Sequence, residues 1–108
     1  MGPSPALLRE LEGFRERLQG LLGQVDTVVL FGSQARGDTR AESDVDVLVV
    51  SPTFRGLSYV RRAKLSRKAW GLPYPVDILC YTPEEFERLR GGITIVSTAL
   101  DEGIEVGA

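Results

Sequence analysis

The sequence predicts a small α/β (α+β) fold in which a mixed β-sheet of three to four strands is flanked by helices. Short runs rich in β-branched and apolar residues alternate with segments whose apolar residues recur at helical spacing. Gly and Pro residues separate these segments and mark the turns between them. The chain has 108 residues, the size of one ordinary domain, so we expect a single domain over residues 1–108.

The N-terminal part predicts a helix followed by a strand. Ser4 is suited to cap the helix, with Pro5 at its first position. Leucines and one phenylalanine then recur at helical spacing as far as Leu22, and Gly23 is a plausible stop. Val25–Phe31 is rich in β-branched and apolar residues, which predicts the first strand.

The next stretch predicts a turn, a loop and a second strand. Gly32-Ser33 ends the first strand, residues 34–37 fit a short helical turn, and Asp38–Glu42 is polar and predicts a loop. Ser43–Val50 predicts the second strand. Because it is apolar on both faces after its first residues, we expect it to be covered on two sides.

The remaining elements are each marked by a cap, a proline or a glycine. They are a helix over Leu57–Trp70 with Ser58 as its cap, a strand over Val76–Tyr81, a helix from Thr82-Pro83 to Arg90, a helix over Ile93–Glu102, and a short edge strand over Ile104–Val106.

Composition excludes several classes of protein. No apolar run approaches the roughly 20 residues that a membrane span needs, and Met1–Ala6 lacks the order of a signal peptide, so we expect a cytoplasmic protein without a membrane partner. The formal net charge is −2, and without a basic excess we do not expect nucleic acid as a direct partner.

The chain has no histidine and a single cysteine, Cys80. An internal disulfide is therefore impossible, and Cys80 is predicted to be a buried thiol in an apolar strand. Histidine-based zinc sites, nucleophilic pairs and general bases are also excluded. Any chemistry must depend on carboxylates, hydroxyls, arginines and metal ions.

Three carboxylates form the clearest chemical pattern. Asp44 and Asp46 stand two residues apart at the start of an apolar strand, so their side chains share one face about 6.5 Å apart at the backbone. Asp77, at the start of the third strand, joins them if that strand is a neighbour in register. A divalent cation would relieve their mutual repulsion, and all-oxygen ligands suit Mg²⁺ or Mn²⁺. The alternative is that these acids face solvent at strand ends.

A possible phosphate site precedes these acids. A strand followed by Gly32-Ser33 and a helical turn places backbone N–H groups at a helix start, where an anion is favoured. Gly32 permits close approach of a ligand, and Ser33 adds a hydroxyl donor. Arg36 is predicted either to contact a triphosphate or to form an ion pair with Asp38 or Asp44. The alternative for the Gly-Ser pair is a plain turn in which Ser33 caps the helix.

The combination is more specific than its parts. Gly32-Ser33, ten intervening residues and Asp44-x-Asp46, with apolar strands before and after, resemble the signature of the DNA polymerase β-like nucleotidyltransferase superfamily. At this length the chain is most similar to the stand-alone minimal nucleotidyltransferases of bacteria and archaea. The resemblance covers about Val25–Tyr81 and includes all three acids.

The resemblance implies roles for individual residues. Asp44 and Asp46 are expected to bind two metal ions, Mg²⁺ or Mn²⁺. Asp77 is expected to bind the acceptor-side metal and to help deprotonate the attacking hydroxyl. Gly32 and Ser33 are expected to hold the β- and γ-phosphates of a nucleoside triphosphate, most simply ATP. Two such metals stabilise the attacking and leaving oxygens of an in-line displacement.

The resemblance also implies a partner. Members of this family often accompany a helical HEPN-type protein as the antitoxin of a toxin–antitoxin pair, and some modify a tyrosine of that partner with AMP. A homodimer is the other expected assembly. Tyr59, Trp70, Leu72 and Tyr74 could serve either interface, although core packing is the simpler role, particularly for Trp70.

Two other functions compete with the enzyme. One is a non-catalytic module that binds or scaffolds a partner through a nucleotidyltransferase fold. The other is an acidic α/β domain without a nucleotide role. The intact set of three acids favours the enzyme, because a scaffold has no evident use for clustered like charges.

Overall fold

A computed structural model describes residues 2–37 and 44–107. Its elements in chain order are α1 (Pro5–Leu22), β1 (Thr27–Phe31), α2 (Gly32–Arg36), β2 (Val45–Val50), α3 (Tyr59–Arg67), β3 (Val76–Tyr81), α4 (Pro83–Arg90), α5 (Ile95–Glu102) and β4 (Ile104–Glu105). The predicted loop Asp38–Glu42 and Ser43, the predicted first residue of the second strand, lie outside the described residues. Within the described part of the chain, no helix combines the length and apolar character needed to cross a membrane.

The four strands form one mixed sheet in the order β3-β2-β1-β4, which confirms the predicted fold class. β2 runs parallel to β3 and antiparallel to β1, and β4 pairs antiparallel with β1. The N-terminal ends of β2 and β3 therefore meet the C-terminal end of β1 at one end of the sheet. The residues that follow β1 and those that start β2 and β3 are brought together there.

The sheet is covered on both faces, and β2 lies inside it as its apolar sequence predicted. On one face, Val45, Val47 and Val49 pack with the buried side of α1, including Phe14, and with Cys80, which is buried as predicted. On the other face, the alternate residues of β2 pack against α4 and α5. The contacts are made with Phe86 of α4 and with Val96 and Ala99 of α5. β2 is therefore fixed from both sides.

Predicted helix caps are confirmed for three helices. The side chains of Ser4, Ser58 and Thr82 accept hydrogen bonds from the first turns of α1, α3 and α4. The predicted α3 began two residues too early, at Leu57 rather than Tyr59, and was too long at its C-terminus. Backbone bonds from residues 68–70 run three residues back, so the chain tightens out of the α-helix after Arg67. Trp70 is buried there, edge-on against Phe14, which confirms its core role.

Two other helix boundaries also differ from prediction. α2 begins at Gly32, two residues before the predicted helical turn. α5 begins at Ile95 rather than Ile93 because Thr94 caps it through the Ser97 backbone N–H. Because α2 begins at Gly32, the Gly32-Ser33 turn predicted to hold phosphates is itself the start of a helix.

A partly buried ion pair connects α3 and α4 beside β3. The Arg62 guanidinium contacts the Glu85 carboxylate twice, at 2.6 and 3.2 Å, and their side chains are 7% and 21% exposed. Arg62 also donates to the carbonyl oxygens of Leu57 and Cys80. The Arg62 hydrogen bonds hold the pKa of Glu85 below its usual range, although burial opposes this shift. All polar groups of the pair are thus used.

Replacing Glu85 with glutamine is expected to lower the free energy of unfolding at pH 7 by about 2–4 kcal/mol, because it leaves a buried guanidinium without its counter-charge. A carboxyl with a lowered folded pKa stabilises above its unfolded pKa, and that stability is lost as pH falls. Urea unfolding from pH 7 to pH 3 should therefore show a weaker pH dependence in Glu85→Gln than in wild type. Glu84→Gln, which breaks the exposed pair with Arg55, is the control and should change stability much less than Glu85→Gln does.

Candidate active site

Two of the predicted acids meet at the end of the sheet where β2 and β3 start. In the parallel register Asp46 lies opposite Asp77, and on its other side Asp46 lies opposite Phe31, the last residue of β1. Asp46 is half-buried and Asp77 is exposed. Asp44 lies one residue before β2 and is exposed. β2 and β3 therefore have the register that the predicted acidic cluster needs.

Burial and neighbouring carboxylates both disfavour the charged form of Asp46. Burial, followed by repulsion from Asp77 and Asp44, raises the pKa of the Asp46 carboxyl, while Arg36 opposes the rise and Glu102 adds to it. Carboxylates that repel one another in this way are stabilised by a divalent cation, and their oxygen atoms suit Mg²⁺ or Mn²⁺. Within residues 2–37 and 44–107, no three Asp, Glu, Cys or His side chains already close around one point. Asp46 and Asp77, which pair in register, supply carboxylate oxygens of the kind that such a metal prefers.

Gly32 lies directly against Asp46. Its φ of +73° is in the left-handed region that glycine favours. A Cβ atom at this position would overlap Asp46 Oδ2 and lie 3.2 Å from Asp46 Cγ. Two constraints therefore favour glycine at this position, the positive φ and the lack of space for a Cβ. The second constraint links the turn after β1 to the carboxylate on β2.

The predicted phosphate turn forms the first turn of α2. Ser33 is its second residue and is half-buried, and at a helix start the first N–H groups have no acceptor within the helix. Gly37, with φ +71°, ends α2 and donates to the Ser33 carbonyl oxygen, as expected for a turn glycine. The turn is thus closed at both ends by glycines in left-handed conformations.

Glu102, at the end of α5, joins this turn and was not predicted. Its carboxylate accepts a hydrogen bond from the Gly32 backbone N–H at 3.2 Å and from Arg36 Nη1 at 3.0 Å. Arg36 therefore pairs with an acid that is remote in sequence. Asp38, one of the two predicted ion-pair partners, lies outside the described residues. The next residue, Gly103, allows this approach, because a Cβ there would overlap the Ala99 carbonyl oxygen.

Replacing Glu102 with alanine is expected to speed hydrogen exchange of the Gly32 amide by about tenfold or more, since the hydrogen bond to a charged acceptor is lost. Amide exchange followed by NMR measures this directly. Asp101→Ala, in the preceding exposed position of α5, is the matched control and should leave the Gly32 rate unchanged. Equal Gly32 rates in wild type and Glu102→Ala would contradict the contact.

A cleft of about 200 Å³ opens beside the acids. Asp46 and Asp77 form its polar wall, and Arg67, at the end of α3, supplies a cation. Its apolar lining comes from the sheet and from α5, namely Phe31, Ile78, Leu79 and Ile95. Arg67 was not among the predicted site residues, and its place near Asp77 follows from α3 packing along β3.

The remaining aromatic and apolar candidates divide between core and surface. Leu72 and Tyr74 are half-buried and pack against the core, and Tyr74 donates to Glu10. Tyr59 is exposed, with its ring edge-on to Tyr81 and beside the Arg62 guanidinium. Of the four candidates, Tyr59 is therefore the one placed to meet a partner.

A mixed sheet with a Gly-Ser turn after one strand and acids starting the next two defines a nucleotidyltransferase. The chain belongs to the nucleotidyltransferase domain family, whose model matches residues 11–106, and within it to the minimal nucleotidyltransferases. It is 31% identical over 105 residues to a Methanocaldococcus jannaschii protein named "Putative protein adenylyltransferase MJ0141". That alignment covers 93% of this chain and 98% of the relative.

Solved structures confirm the fold. A "putative nucleotidyltransferase from Sulfolobus solfataricus" superposes with a TM-score of 0.65 at 20% identity, covering 93% of this chain and 78% of the other. A toxin–antitoxin structure with AMP-PNP gives a TM-score of 0.62 at 23% identity, covering 89% of this chain and 70% of the other. At these identities the likeness concerns the arrangement of helices and strands.

Proposed function

We propose that this nucleotidyltransferase transfers AMP from ATP to a hydroxyl of a protein acceptor. The observation that carries the proposal is the meeting of Asp46 and Asp77 in register, with Gly32 in contact with Asp46. This places a turn suited to phosphates beside carboxylates suited to divalent ions. The name of the Methanocaldococcus jannaschii relative supports AMP as the transferred group and a protein as the acceptor.

In the proposed site the triphosphate extends from the turn towards the acids. Gly32 and Ser33 hold the β- and γ-phosphates, through the Ser33 hydroxyl and the N–H groups at the start of α2. Arg36 lies at the other end of α2, where its guanidinium, already held by Glu102, adds positive charge beside the phosphates. Since Glu102 accepts the Gly32 N–H, Gly32 contributes mainly by keeping the turn close to Asp46.

The carboxylates act on the reacting centre. Asp44 and Asp46 would hold two divalent ions, and Asp77 would share the ion on the acceptor side. Bound Mg²⁺ or Mn²⁺ would neutralise charge on the attacking and leaving oxygens. The acceptor oxygen forms a bond to the α-phosphorus, the bond from that phosphorus to the bridging oxygen of the β-phosphate breaks, and pyrophosphate leaves. Asp77 receives the proton of the acceptor hydroxyl, directly or through water.

The acceptor that we propose is a tyrosine of a helical HEPN-type partner, which this chain would neutralise as an antitoxin. The toxin–antitoxin neighbour with AMP-PNP supports a pairing of this fold with a toxin and an adenine nucleotide. A homodimer of this chain is the alternative assembly.

The test is incubation of the chain with a HEPN-type partner, Mg²⁺ and ATP labelled at the α-phosphate. Label on a partner tyrosine, located by mass spectrometry and absent with Asp44→Asn/Asp46→Asn, is the expected result. The contrary result is no label from any of the four common ribonucleoside triphosphates while the double variant still neutralises the partner. That outcome would favour the non-catalytic scaffold.

A further inference from the structure

A positively charged segment lies between the acids of β2 and β3. Residues 47–76 contain six Lys and Arg residues and no Asp or Glu, whereas the whole chain has a formal net charge of −2. The segment includes α3, which packs along β3. The charge is therefore concentrated on one side of the sheet, next to the candidate active site.

Four of these six cations face solvent from one helix and the residue that follows it. They are Arg61, Lys64, Arg67 and Lys68. Within the described ranges, none of the four has a carboxylate at salt-bridge distance; the other two cations, Arg55 and Arg62, pair with Glu84 and Glu85. The spacings of three and four residues make Lys64 a surface neighbour of Arg61, Arg67 and Lys68. This surface is suited to an acidic partner.

A groove runs between α3 and β3, which is an edge strand of the sheet. Its volume is about 310 Å³. Four consecutive residues of β3, Ile78–Tyr81, line one wall; since alternate side chains point to opposite faces, that wall is the outer edge of the strand. The opposite wall includes Tyr59 and Val60, which are 59% and 65% exposed, and Lys64. We call this feature the α3 groove.

The α3 groove is continuous with the cleft beside the acids. Arg67, Ile78 and Leu79 line both. A chain lying in the groove would therefore lead directly to Asp77, the acid on the acceptor side. The phosphate turn after β1 lies on the other side of β2, so this approach does not cross the proposed path of the triphosphate.

We propose that the α3 groove binds an acidic segment of the protein acceptor and delivers its hydroxyl to Asp77. The inference rests on the proposed function for its acceptor chemistry. Tyr59 and Val60 would contact apolar side chains of the segment, while Lys64 in the groove wall and Arg61 beside it on α3 would attract its carboxylates. Apolar walls and an overall negative chain favour a protein over a nucleic acid, whose phosphates would be repelled by the rest of the molecule.

The test uses fluorescent peptides with one central tyrosine flanked by glutamates, by serines or by lysines. Binding is followed by anisotropy with the chain saturated by Mg²⁺ and a non-hydrolysable ATP analogue. The glutamate peptide is expected to bind about tenfold tighter than the lysine peptide, with an affinity that falls as salt rises. Equal binding of the three peptides would overturn the inference, as would displacement of the glutamate peptide by a tighter-binding single-stranded oligonucleotide.

Charge reversal locates the binding surface. Arg61→Glu/Lys64→Glu is expected to weaken binding of the glutamate peptide by about tenfold. Arg9→Glu/Arg88→Glu changes the net charge equally at exposed positions that do not line the groove, and it should leave affinity within about twofold. Thermal melting of both variants verifies folding. Equal losses in the two variants would contradict a specific groove.

Binding by the α3 groove and the proposed transfer reaction can be rejected independently of each other. With nucleotide left out for both proteins, Asp44→Asn/Asp46→Asn should bind the glutamate peptide at least as tightly as wild type does, and with ATP and Mg²⁺ it should not label the peptide. Peptide binding that follows the charges of α3, without labelling by wild type, would retain the groove and reject the transfer reaction. Labelling that does not depend on Arg61 and Lys64 would retain the transfer reaction and reject the groove.

Discussion

Replacing Asp46 with asparagine is expected to reduce nucleotidyl transfer by about 1,000-fold or more, because the change removes the central carboxylate charge of the proposed metal site. Asp46 lies between Asp77 on β3 and Phe31 on β1, and it also touches the turn at Gly32. No described neighbour can take its place with the same register. Release of pyrophosphate, or transfer of labelled AMP to an acceptor, measures the loss.

The same substitution should not weaken the fold. Burial and the repulsion from Asp77 and Asp44 disfavour the charged form of Asp46, so a neutral amide removes that penalty in metal-free buffer. We therefore expect a melting temperature equal to or above that of wild type. Asp26→Asn is the control, since Asp26 precedes β1 at the opposite end of the sheet and should retain full activity. If Asp46→Asn were inactive because it is unfolded, the loss of activity would not report on the site, and this prediction would be contradicted.

Replacing Gly32 with alanine is expected to reduce turnover by about 100-fold, since small displacements of catalytic groups have effects of that size. The new Cβ would overlap the Asp46 carboxylate, and the φ of +73° would be strained for any residue with a Cβ. Either the turn or Asp46 must shift. Steady-state kinetics with Mg²⁺ and ATP would show the loss mainly in kcat.

Backbone strain and contact with Asp46 can be separated by a matched variant. Gly56 has a similar φ of +79°, but a Cβ there would meet nothing within 4 Å. Gly56→Ala should therefore lower stability by about 1 kcal/mol, as Gly32→Ala does through strain, without the loss of turnover. Equal activity in the two alanine variants would show that the approach of Gly32 to Asp46 has no catalytic importance.

The central elements of the fold and the acids were accessible from sequence because their signals are local. An Asp-x-Asp pair at the start of a strand apolar on both faces predicted β2 inside the sheet, with carboxylates at one of its ends. Cap residues such as Thr82 marked the helix starts. Asp77 could be proposed as a third member, but whether β3 is parallel to β2 and in register with Asp46 depends on the crossover through α3. The structure was needed for that.

The residues that were missed are joined to the site by tertiary packing. Glu102 reaches Gly32 and Arg36 across 70 and 66 positions of the chain, and a lone Glu at a helix end carries no sign of such a contact. In the sequence Arg67 is one of several cations in the segment that forms α3, and only the packing of α3 along β3 places it near Asp77. The mixture of apolar and basic residues in α3 could have indicated an exposed surface. It could not have indicated that this surface is continuous with the cleft beside the acids.

The central claim is that a triphosphate binds between the Gly32-Ser33 turn and the carboxylates, through divalent ions. Calorimetric titration of the chain with a non-hydrolysable ATP analogue tests it most directly, with and without Mg²⁺, on wild type and on Asp44→Asn/Asp46→Asn. We predict binding by wild type that requires Mg²⁺ and is lost in the double variant. Binding of equal affinity in the double variant, or by wild type without any divalent ion, would contradict the site.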